Sequence, residues 1–491
     1  MKKLNDWLKI KIKKFLLFLI RKLDEDVPNT PIIRLSSSNI LRKDIKVHPV
    51  ITASITFLCL YFMLIMQIGA TVKTLIGLFL LLLLVFSFVL FYFITQFKKS
   101  MLDSNKVMLI CFIFVFSFLL FQIFSHTLSQ IAFPMTAFTV LLALLVSVRV
   151  GLTYTFAMAV FMAIINDFSA TVPIIHIAGS FVSIINVRKI RSRTQFTKVG
   201  IKVSSAMAAI IIAFFLFGEM SLEQTELDIW FAMLNGFSSV LIILALLPVL
   251  ENLFSRTTNI KLIELADFNN PLLKRLMVEA PGTYHHSLMT ASLAEQAASA
   301  IGINSLLART CAYYHDIGKL TNPEYFIENQ NNNENPHDNL SPSMSGLVLI
   351  SHVKDGVALA RKYKIDQVII DAIKQHHGTS LIQYFYHRAL EQSKDVNEQD
   401  FRYPGQKPTT KVSAILMIAD SIEAISRTLQ DTSAGKLKEV VEKVINNKFT
   451  DGQFSDCPIT LADLVKIAES MTITLCGIYH ARIEYKTTEK K

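Results

Sequence analysis

The sequence predicts an all-α protein in two parts, a polytopic helical membrane domain followed by a cytoplasmic helical bundle. Three observations predict it. The 491 residues are 52% hydrophobic and only 18% charged, against roughly a quarter charged in ordinary soluble proteins, and mean hydropathy is +0.41. The charge is unevenly split: residues 1–250 hold 23 basic and 11 acidic side chains, net +12, while residues 251–491 hold 26 and 28, net −2. The first half consists of long apolar runs, whereas the second repeats apolar residues at three- and four-residue spacing without sustained alternation at period two. A basic excess confined to the apolar half marks membrane flanks, not a DNA- or RNA-binding surface.

Residues 1–49 form a basic cytoplasmic segment with 12 basic and 5 acidic side chains. Within it, residues 4–23, with Trp7, Leu8, Ile10, Ile12, Phe15 and Phe18 among lysines, read either as an amphipathic helix on the inner leaflet or as a mobile tail. The apolar run Phe15–Ile20 is short and closed by Arg21 and Lys22, which argues against a cleavable signal peptide. Residues 50–250 form the membrane domain, with about eight spans at 50–70, 74–97, 107–125, 131–148, 151–166, 170–187, 199–217 and 228–250, each near the roughly 17–25 residues that cross a bilayer. Asp167 marks a short outer turn or faces a polar interior. Lys98 and Lys99, Arg149, and the cluster Arg188, Lys189, Arg191, Arg193 and Lys198 alternate with the acidic loop holding Glu219, Glu223, Glu226 and Asp228. The positive-inside rule then places both termini in the cytoplasm.

Residues 251–485 read as an all-helical bundle, with helices at Ser287–Ile301, Ser345–Tyr363, Asp366–Gln375, Lys411–Leu429, Gly435–Asn446 and Leu461–Tyr479, and residues 486–491 as a tail. Two long polar loops interrupt it, Glu328–Ser341 and Ser393–Thr410; such loops inside compact domains are usually lids, binding loops or disorder. Cys59, Cys111, Cys311, Cys457 and Cys476 show no C-x-x-C pairing, so neither a disulfide framework nor a thiolate metal site is expected.

The chemistry lies in the histidines. Nine of twelve follow residue 250, and they recur in Tyr284-His285-His286-Ser287, Tyr314-His315-Asp316, Ser351-His352 and Gln375-His376-His377-Gly378, with Asp420 downstream. A lone histidine on an apolar helix is usually a satisfied core residue. Several groups with carboxylates and no thiolates instead suit manganese, iron or zinc in a hydrolytic site, where one carboxylate such as Asp316 can bridge two ions about 3.5–4 Å apart. Two ions allow a shared hydroxide at neutral pH and stabilise the attacking and leaving oxygens of an in-line displacement at phosphorus.

The pattern His286…His315-Asp316…Asp420 resembles the H…HD…D signature of the HD phosphohydrolase superfamily. The dipeptide alone is weak evidence. The strings Glu279 to Ser287, Ala312 to Lys319, Glu334 to Asp338, Ile350 to Gly356, Gln375 to Thr379 and Phe401 to Gly405 are more specific. Behind a polytopic membrane domain, they resemble the bacterial seven-transmembrane HD phosphodiesterases that hydrolyse cyclic di-AMP to linear 5′-pApA. The resemblance covers residues 45–485.

It implies an all-helical HD domain, a multi-pass protein of the bacterial cell membrane, and a cofactor of two divalent transition-metal ions, manganese or iron. It further implies that His286, His315, Asp316 and Asp420 hold one ion, and that Asp316, His352, His376 and His377 hold the other. His377 is the most demanding, because adjacent helical residues point about 100° apart and only a helix end lets both converge. His285 is expected to be structural or to support a ligand from behind. Lys319 is expected to stabilise charge at the phosphate, or else to be a solvated helix-end cation. Arg402, Tyr403 and His337 are expected to contact substrate, or to be turn residues of ordered loops. Arg427 reads as a surface ion pair, His387 and His480 as exposed, and His126 and His176 as polar residues of the membrane interface or interior.

Family members commonly carry a large extracellular domain between the first two spans, where this chain has only Thr71-Val72-Lys73. Gly378 after the histidine pair, with no Gly-Tyr-Pro close behind, argues against the cyclic di-GMP enzymes with an HD-GYP signature. The expected function is therefore membrane-anchored hydrolysis of cyclic di-AMP at a dinuclear centre. The alternatives are an HD hydrolase or non-catalytic receptor for another signalling nucleotide such as guanosine tetraphosphate, and a transporter with a regulatory HD half. Oligomeric state, homo-oligomer included, is left open.

Overall fold

The computed structural model describes residues 49–68, 71–96, 104–187, 192–330, 335–393 and 395–479. The basic segment with its predicted amphipathic helix, His480 and the C-terminal tail lie outside these residues. Among the described residues every regular element is helical, and the chain divides into two compact units, one ending at Lys261 and one running from Leu262.

In the first unit each predicted apolar run contains a helix: α1 Pro49–Ile68, α2 Val72–Gln96, α3 Ser104–Thr127, α4 Met135–Leu145, α5 Val148–Ile165, α6 Thr171–Val187, α7 Thr194–Leu216 and α8 Leu222–Leu253. Four helical stretches, Asn105–Thr127, Val148–Ile165, Thr194–Leu216 and Leu222–Leu253, are long and apolar enough to cross a membrane. The apolar helical stretches at Thr52–Ile65, Val72–Ser87, Gln130–Leu145 and Thr171–Val187 are shorter. Asp167 lies in the exposed turn between α5 and α6 with φ 49°. His126 is exposed near the end of α3, and His176 is fully buried on α6.

The segment expected as a span over 131–148 takes a different form. A 3-10 turn, Gln130–Ala132, stops at Phe133, and the helix restarts as α4 after Pro134, whose missing N–H cannot continue a helical ladder. Eleven residues rise only about 16 Å, against a bilayer core of about 30 Å. Helix α4 is buried almost throughout and touches α3, α5, α6 and α8. Its polar groups are met from those neighbours. Asn235 on α8 donates Nδ2 to the carbonyls of Ile131, at 2.9 Å, and Phe133, while its Oδ1 accepts from Thr136 Oγ1 at 3.0 Å. His176 Nε2 bonds the Gln130 carbonyl at 2.9 Å, and Thr139 bonds Thr155 at 2.9 Å. Apolar surroundings permit a broken helix only where protein groups replace water in this way. Helices α7 and α8 pack through Gly200 and Gly236, where a Cβ on Gly236 would lie 2.5 Å from the Gly200 carbonyl.

The second unit holds α10 Pro271–Glu279, α11 Pro281–Ala300, α12 Ser305–Tyr314, α13 Pro342–Lys362, α14 Gln367–Gln375, α15 Gln383–Gln392, α16 Lys411–Ser426, α17 Ala434–Thr450 and α18 Leu461–Ile478; α9, Asn259–Leu265, precedes them. Starts follow the sequence: Asn270 accepts from Leu272 N ahead of Pro271, and Thr460 with Asp463 forms a capping box. Buried Ala291, Ala294, Ala297 and Ala298 give α11 a small-residue face, and it packs with α12, α16 and α18. Helix α16 is buried continuously from Val412 to Asp420. This core holds rigid the five helices, α11, α12, α13, α14 and α16, whose ends and faces carry the histidines and aspartates.

The two polar loops are built differently from each other. Among the described residues the first holds the 3-10 turns Ile327–Asn329 and Pro336–Asn339, after two more at Ile317–Thr321 and Pro323–Tyr325. The second returns to the bundle through an isolated antiparallel bridge, Leu381 with Arg402, reinforced by Ile382 N to Phe401 O at 2.9 Å and Tyr403 N to Ser380 O at 3.1 Å.

Candidate metal centre

The site starts from Asp316. It follows His315 at the end of α12 and begins the 3-10 turn Ile317–Thr321. Helix α13 runs directly against that turn. A Cβ on Gly318 would lie 1.8 Å from the His352 carbonyl and 2.5 Å from Gly356 N, so only glycine lets the two backbones approach. His376 and His377 follow the last residue of α14, and Gly378 then turns the chain with φ 54°. The helix end lets two consecutive rings point into one site.

The buried Asp316 carboxylate is flanked on both sides. Oδ1 lies 3.3 Å from His352 Nε2 and 3.6 Å from His376 Nε2; Oδ2 lies 3.2 Å from His315 Nε2 and 3.5 Å from His286 Nε2. Asp420 Oδ1 is 3.0 Å from His286 Nε2, and its Oδ2 is 3.5 Å from His377 Nδ1. Two groups result, His286, His315, Asp316 and Asp420, and Asp316, His352, His376 and His377. Within each, the ligand atoms all lie within 4.8 Å of one another.

The back of each ring fixes its front. His315 Nδ1 donates to Ala312 O at 2.7 Å, His352 Nδ1 to Leu349 O at 2.5 Å and His376 Nδ1 to Ile373 O at 2.7 Å, while His286 Nδ1 bonds Glu423 Oε2. A hydrogen on Nδ1 leaves the Nε2 lone pair facing inward, the arrangement of metal-ligating histidines. Nε2 of His286 and His315 are then 3.3 Å apart, and those of His352 and His376 3.2 Å. Asp316 Oδ1 is buried without a hydrogen-bond donor. Lone pairs facing each other around an orphaned buried oxygen fit cations between them.

Electrostatics agree. Burial works against charge on these groups, yet their mutual attraction prevails: hydrogen bonds to Asp420 and Glu423 lift His286 to about 9, and Asp316 lifts His315 to about 10. Despite burial, Asp316 and Asp420 are held well below the usual carboxylate range by the histidines and, for Asp316, by Lys319. His352 is lowered to about 4 by burial.

Residues 72–258 match the family model described as a 7TM receptor with intracellular HD hydrolase, and residues 283–425 match that of the HD domain. The chain thus joins a 7TM region to an HD domain, as the proteins of that family do. The cyclic-di-AMP phosphodiesterase PgpH of Bacillus subtilis is 37% identical over 366 residues, covering 73% of this 7TM–HD chain and 52% of the relative. The protein of the same name from Listeria monocytogenes is 36% identical over 395 residues, covering 79% and 54%. This chain thus spans about half the length of those relatives. A crystal structure of the L. monocytogenes PgpH HD domain in complex with cyclic-di-AMP is 47% identical, covering 43% of this chain and all of that one, with a TM-score of 0.43.

The remaining predicted residues of the 7TM–HD chain divide. Lys319 is drawn into the centre, its Nζ 2.7 Å from both Asp316 Oδ2 and Glu328 Oε1. Tyr403 stacks on His377 with centroids 4.2 Å apart and planes 25° apart. Arg402 instead bonds Glu398, Asp451 and the Thr379 carbonyl. His337 bonds the Tyr325 carbonyl at 2.9 Å, its ring beside Tyr325 and Phe385. His285 and His387 are exposed, and Arg427 pairs with Glu423 at 3.8 Å.

Two functional carboxylates escaped the sequence reading. Glu423 orients His286 from one turn beyond Asp420, and its i+3 spacing from that residue on α16 was the available signal. Glu328 links Lys319 to Thr283 Oγ1, 3.1 Å away near the start of α11. A Cβ on Gly282 would lie 1.8 Å from the Glu328 carbonyl, so this loop is seated on the helix that carries His286.

Proposed function

We propose that this chain is a membrane-anchored phosphodiesterase that hydrolyses cyclic di-AMP to linear 5′-pApA with two divalent ions, manganese or iron. The observation that carries the reading is the pair of ligand groups sharing Asp316, with the lone pairs of four histidines facing inward. The substrate comes from the relatives, both of which are cyclic-di-AMP phosphodiesterases. His286, His315, Asp316 and Asp420 hold one ion, and Asp316, His352, His376 and His377 the other. When bound, the pair supplies hydroxide from water at neutral pH and neutralises charge on both oxygens of an in-line displacement.

The chain's own residues do the rest. Asp316 sets the separation of the two groups, and Glu423 holds His286 in the tautomer that offers Nε2. Lys319, anchored by Glu328, presents an ammonium to the phosphate as charge develops. Tyr403 covers His377 and keeps that side apolar. Arg402 and His337 act as supports of the two loops, through the bonds described above.

The membrane part follows the same reading: a basic cytoplasmic segment at 1–49, eight apolar segments over 50–250 in the bacterial cell membrane, both termini cytoplasmic, and the hydrolase over 251–485. The family match over 72–258 takes in seven of the eight apolar helices. The test is turnover by the purified full chain in detergent, loaded with Mn²⁺ or Fe²⁺, on cyclic di-AMP, cyclic di-GMP and guanosine tetraphosphate. Cyclic di-AMP should be cleaved fastest, giving pApA. A folded, metal-loaded protein that leaves it intact refutes the proposal.

A further inference from the structure

The two cations that the sequence singles out already have carboxylate partners: Asp316 and Glu328 for Lys319, Glu398 and Asp451 for Arg402. Lys448 is different. It lies in the last turn of α17, and its Nζ donates to Ser380 Oγ at 2.8 Å, its only hydrogen bond among the described residues. Within 4.0 Å it meets no carboxylate oxygen among those residues, whereas Lys436 and Lys438 on the same helix pair with Glu439 and Glu442. The ammonium is covered enough that burial lowers its pKa, although Asp420 and Asp451 lie near enough to act in the opposite direction.

Its position ties it to the metal centre. Ser380 is buried and follows His377 by three residues, and its carbonyl receives Tyr403 N at 3.1 Å, holding the ring that stacks on His377. Asp420, whose charge reaches Lys448, belongs to the other ligand group. A partly dehydrated ammonium resting on a hydroxyl is a cation in reserve: an anionic ligand can replace the hydroxyl without first breaking an ion pair.

A cyclic dinucleotide carries two phosphodiesters, and a two-ion centre engages the one it cleaves. We infer that Lys448, seated on Ser380, binds the second, non-reacting phosphodiester of the substrate. This rests on the reading of the chain as a cyclic dinucleotide phosphodiesterase. It makes Lys448 a specificity residue, because binding away from the reacting phosphorus favours substrates with a second phosphate over simple diesters.

The test uses the full chain in detergent, loaded with Mn²⁺, as wild type, Lys448→Met, Lys448→Arg and the surface control Lys438→Met. Substrates are cyclic di-AMP and bis(p-nitrophenyl) phosphate, which has a single phosphodiester. Loss of one charged hydrogen bond to phosphate should raise KM for cyclic di-AMP by about 10- to 100-fold in Lys448→Met. That loss should exceed the loss on bis(p-nitrophenyl) phosphate at least tenfold, with bound metal unchanged and Lys448→Arg largely restored. Equal losses on the two substrates, or an unchanged KM, overturn the inference. If Lys448→Met loses its helical circular dichroism, the same KM comparison between wild type and Lys448→Gln decides. Wild type active only on bis(p-nitrophenyl) phosphate refutes the cyclic di-AMP reading and this inference with it; wild type active on both, with Lys448→Met indifferent, removes the lysine alone.

Discussion

Gly318→Ala is the sharpest probe of the centre, because it leaves every ligand in place and alters only their spacing. The added Cβ would sit 1.8 Å from the His352 carbonyl, and real Cβ atoms do not approach below 3.0 Å. Helix α13 or the Asp316 turn must therefore yield by about 1.2 Å. Overpacking of this kind costs about 1–3 kcal/mol of stability, which a cooperative domain survives. A metal site is less tolerant: ligand distances hold to about ±0.2 Å, and His352 faces Asp316 Oδ1 across only 3.3 Å. Displacing His352 should cost the second ion at least as much as losing an outer-sphere partner does, a factor of about 10–100 in affinity. Metal analysis after dialysis should find close to one ion per chain instead of two, with turnover on cyclic di-AMP falling in step and helical circular dichroism retained. A variant that keeps two ions and wild-type turnover would refute the claim that this backbone contact sets the distance between the two ligand groups.

Glu423→Gln should weaken metal binding or turnover by about 10–100-fold without loss of helicity, since it removes the carboxylate that bonds His286 Nδ1; a metal titration reads it directly. Metal uptake should release protons, because His286 and His315 are lifted to about 9 and about 10 while the bound ion needs them neutral. Apparent affinity should then rise with pH from 6 towards 9, by about tenfold per pH unit for each proton released, as seen by calorimetry in buffers of different ionisation enthalpy. The same raised values mean that, in the metal-free chain, these histidines contribute stability fully below their unfolded pKa near 6.5, and lose it as pH rises through 9 to 10. Thermal melts of the metal-free protein across that range should show the loss, and metal-loaded protein should not. In the membrane unit, Gly236→Leu should force α7 from α8, because even a Cβ there would lie 2.5 Å from the Gly200 carbonyl; a lower melting temperature in detergent is the expected readout.

Much of this was legible in the sequence, for identifiable reasons. Apolar runs and three- to four-residue spacing report helices directly, and each predicted segment among the described residues contains one. Imidazole beside carboxylate, repeated along the chain, pointed to a metal-binding centre, and the resemblance to the HD phosphohydrolases implied the two groupings of residues that the fold brings together. The break at Phe133 and Pro134 was not accessible, because it sits inside an unbroken apolar run and depends on Asn235, far away in sequence. Glu423 resembled an ordinary surface glutamate next to Arg427, although its side chain faces His286. Lys448 lies among other lysines of an amphipathic helix, and only the fold distinguishes the one that turns towards Ser380. Arg402 looked available as a free cation because nothing in its neighbourhood announces Asp451, 49 residues on.

The broken segment before α4 also bears on how the chain is made. The Ile131 and Phe133 carbonyls accept from Asn235, 104 and 102 residues further along. While the ribosome is still translating the intervening helices, those carbonyls have no such donor, and a stretch as short as α4 cannot settle across a bilayer alone. The segment must wait, sheltered by its neighbours or by the insertion machinery, until α8 arrives. Substitutions at Asn235 should therefore reduce the amount of correctly inserted protein in cells before they affect any property of the purified protein.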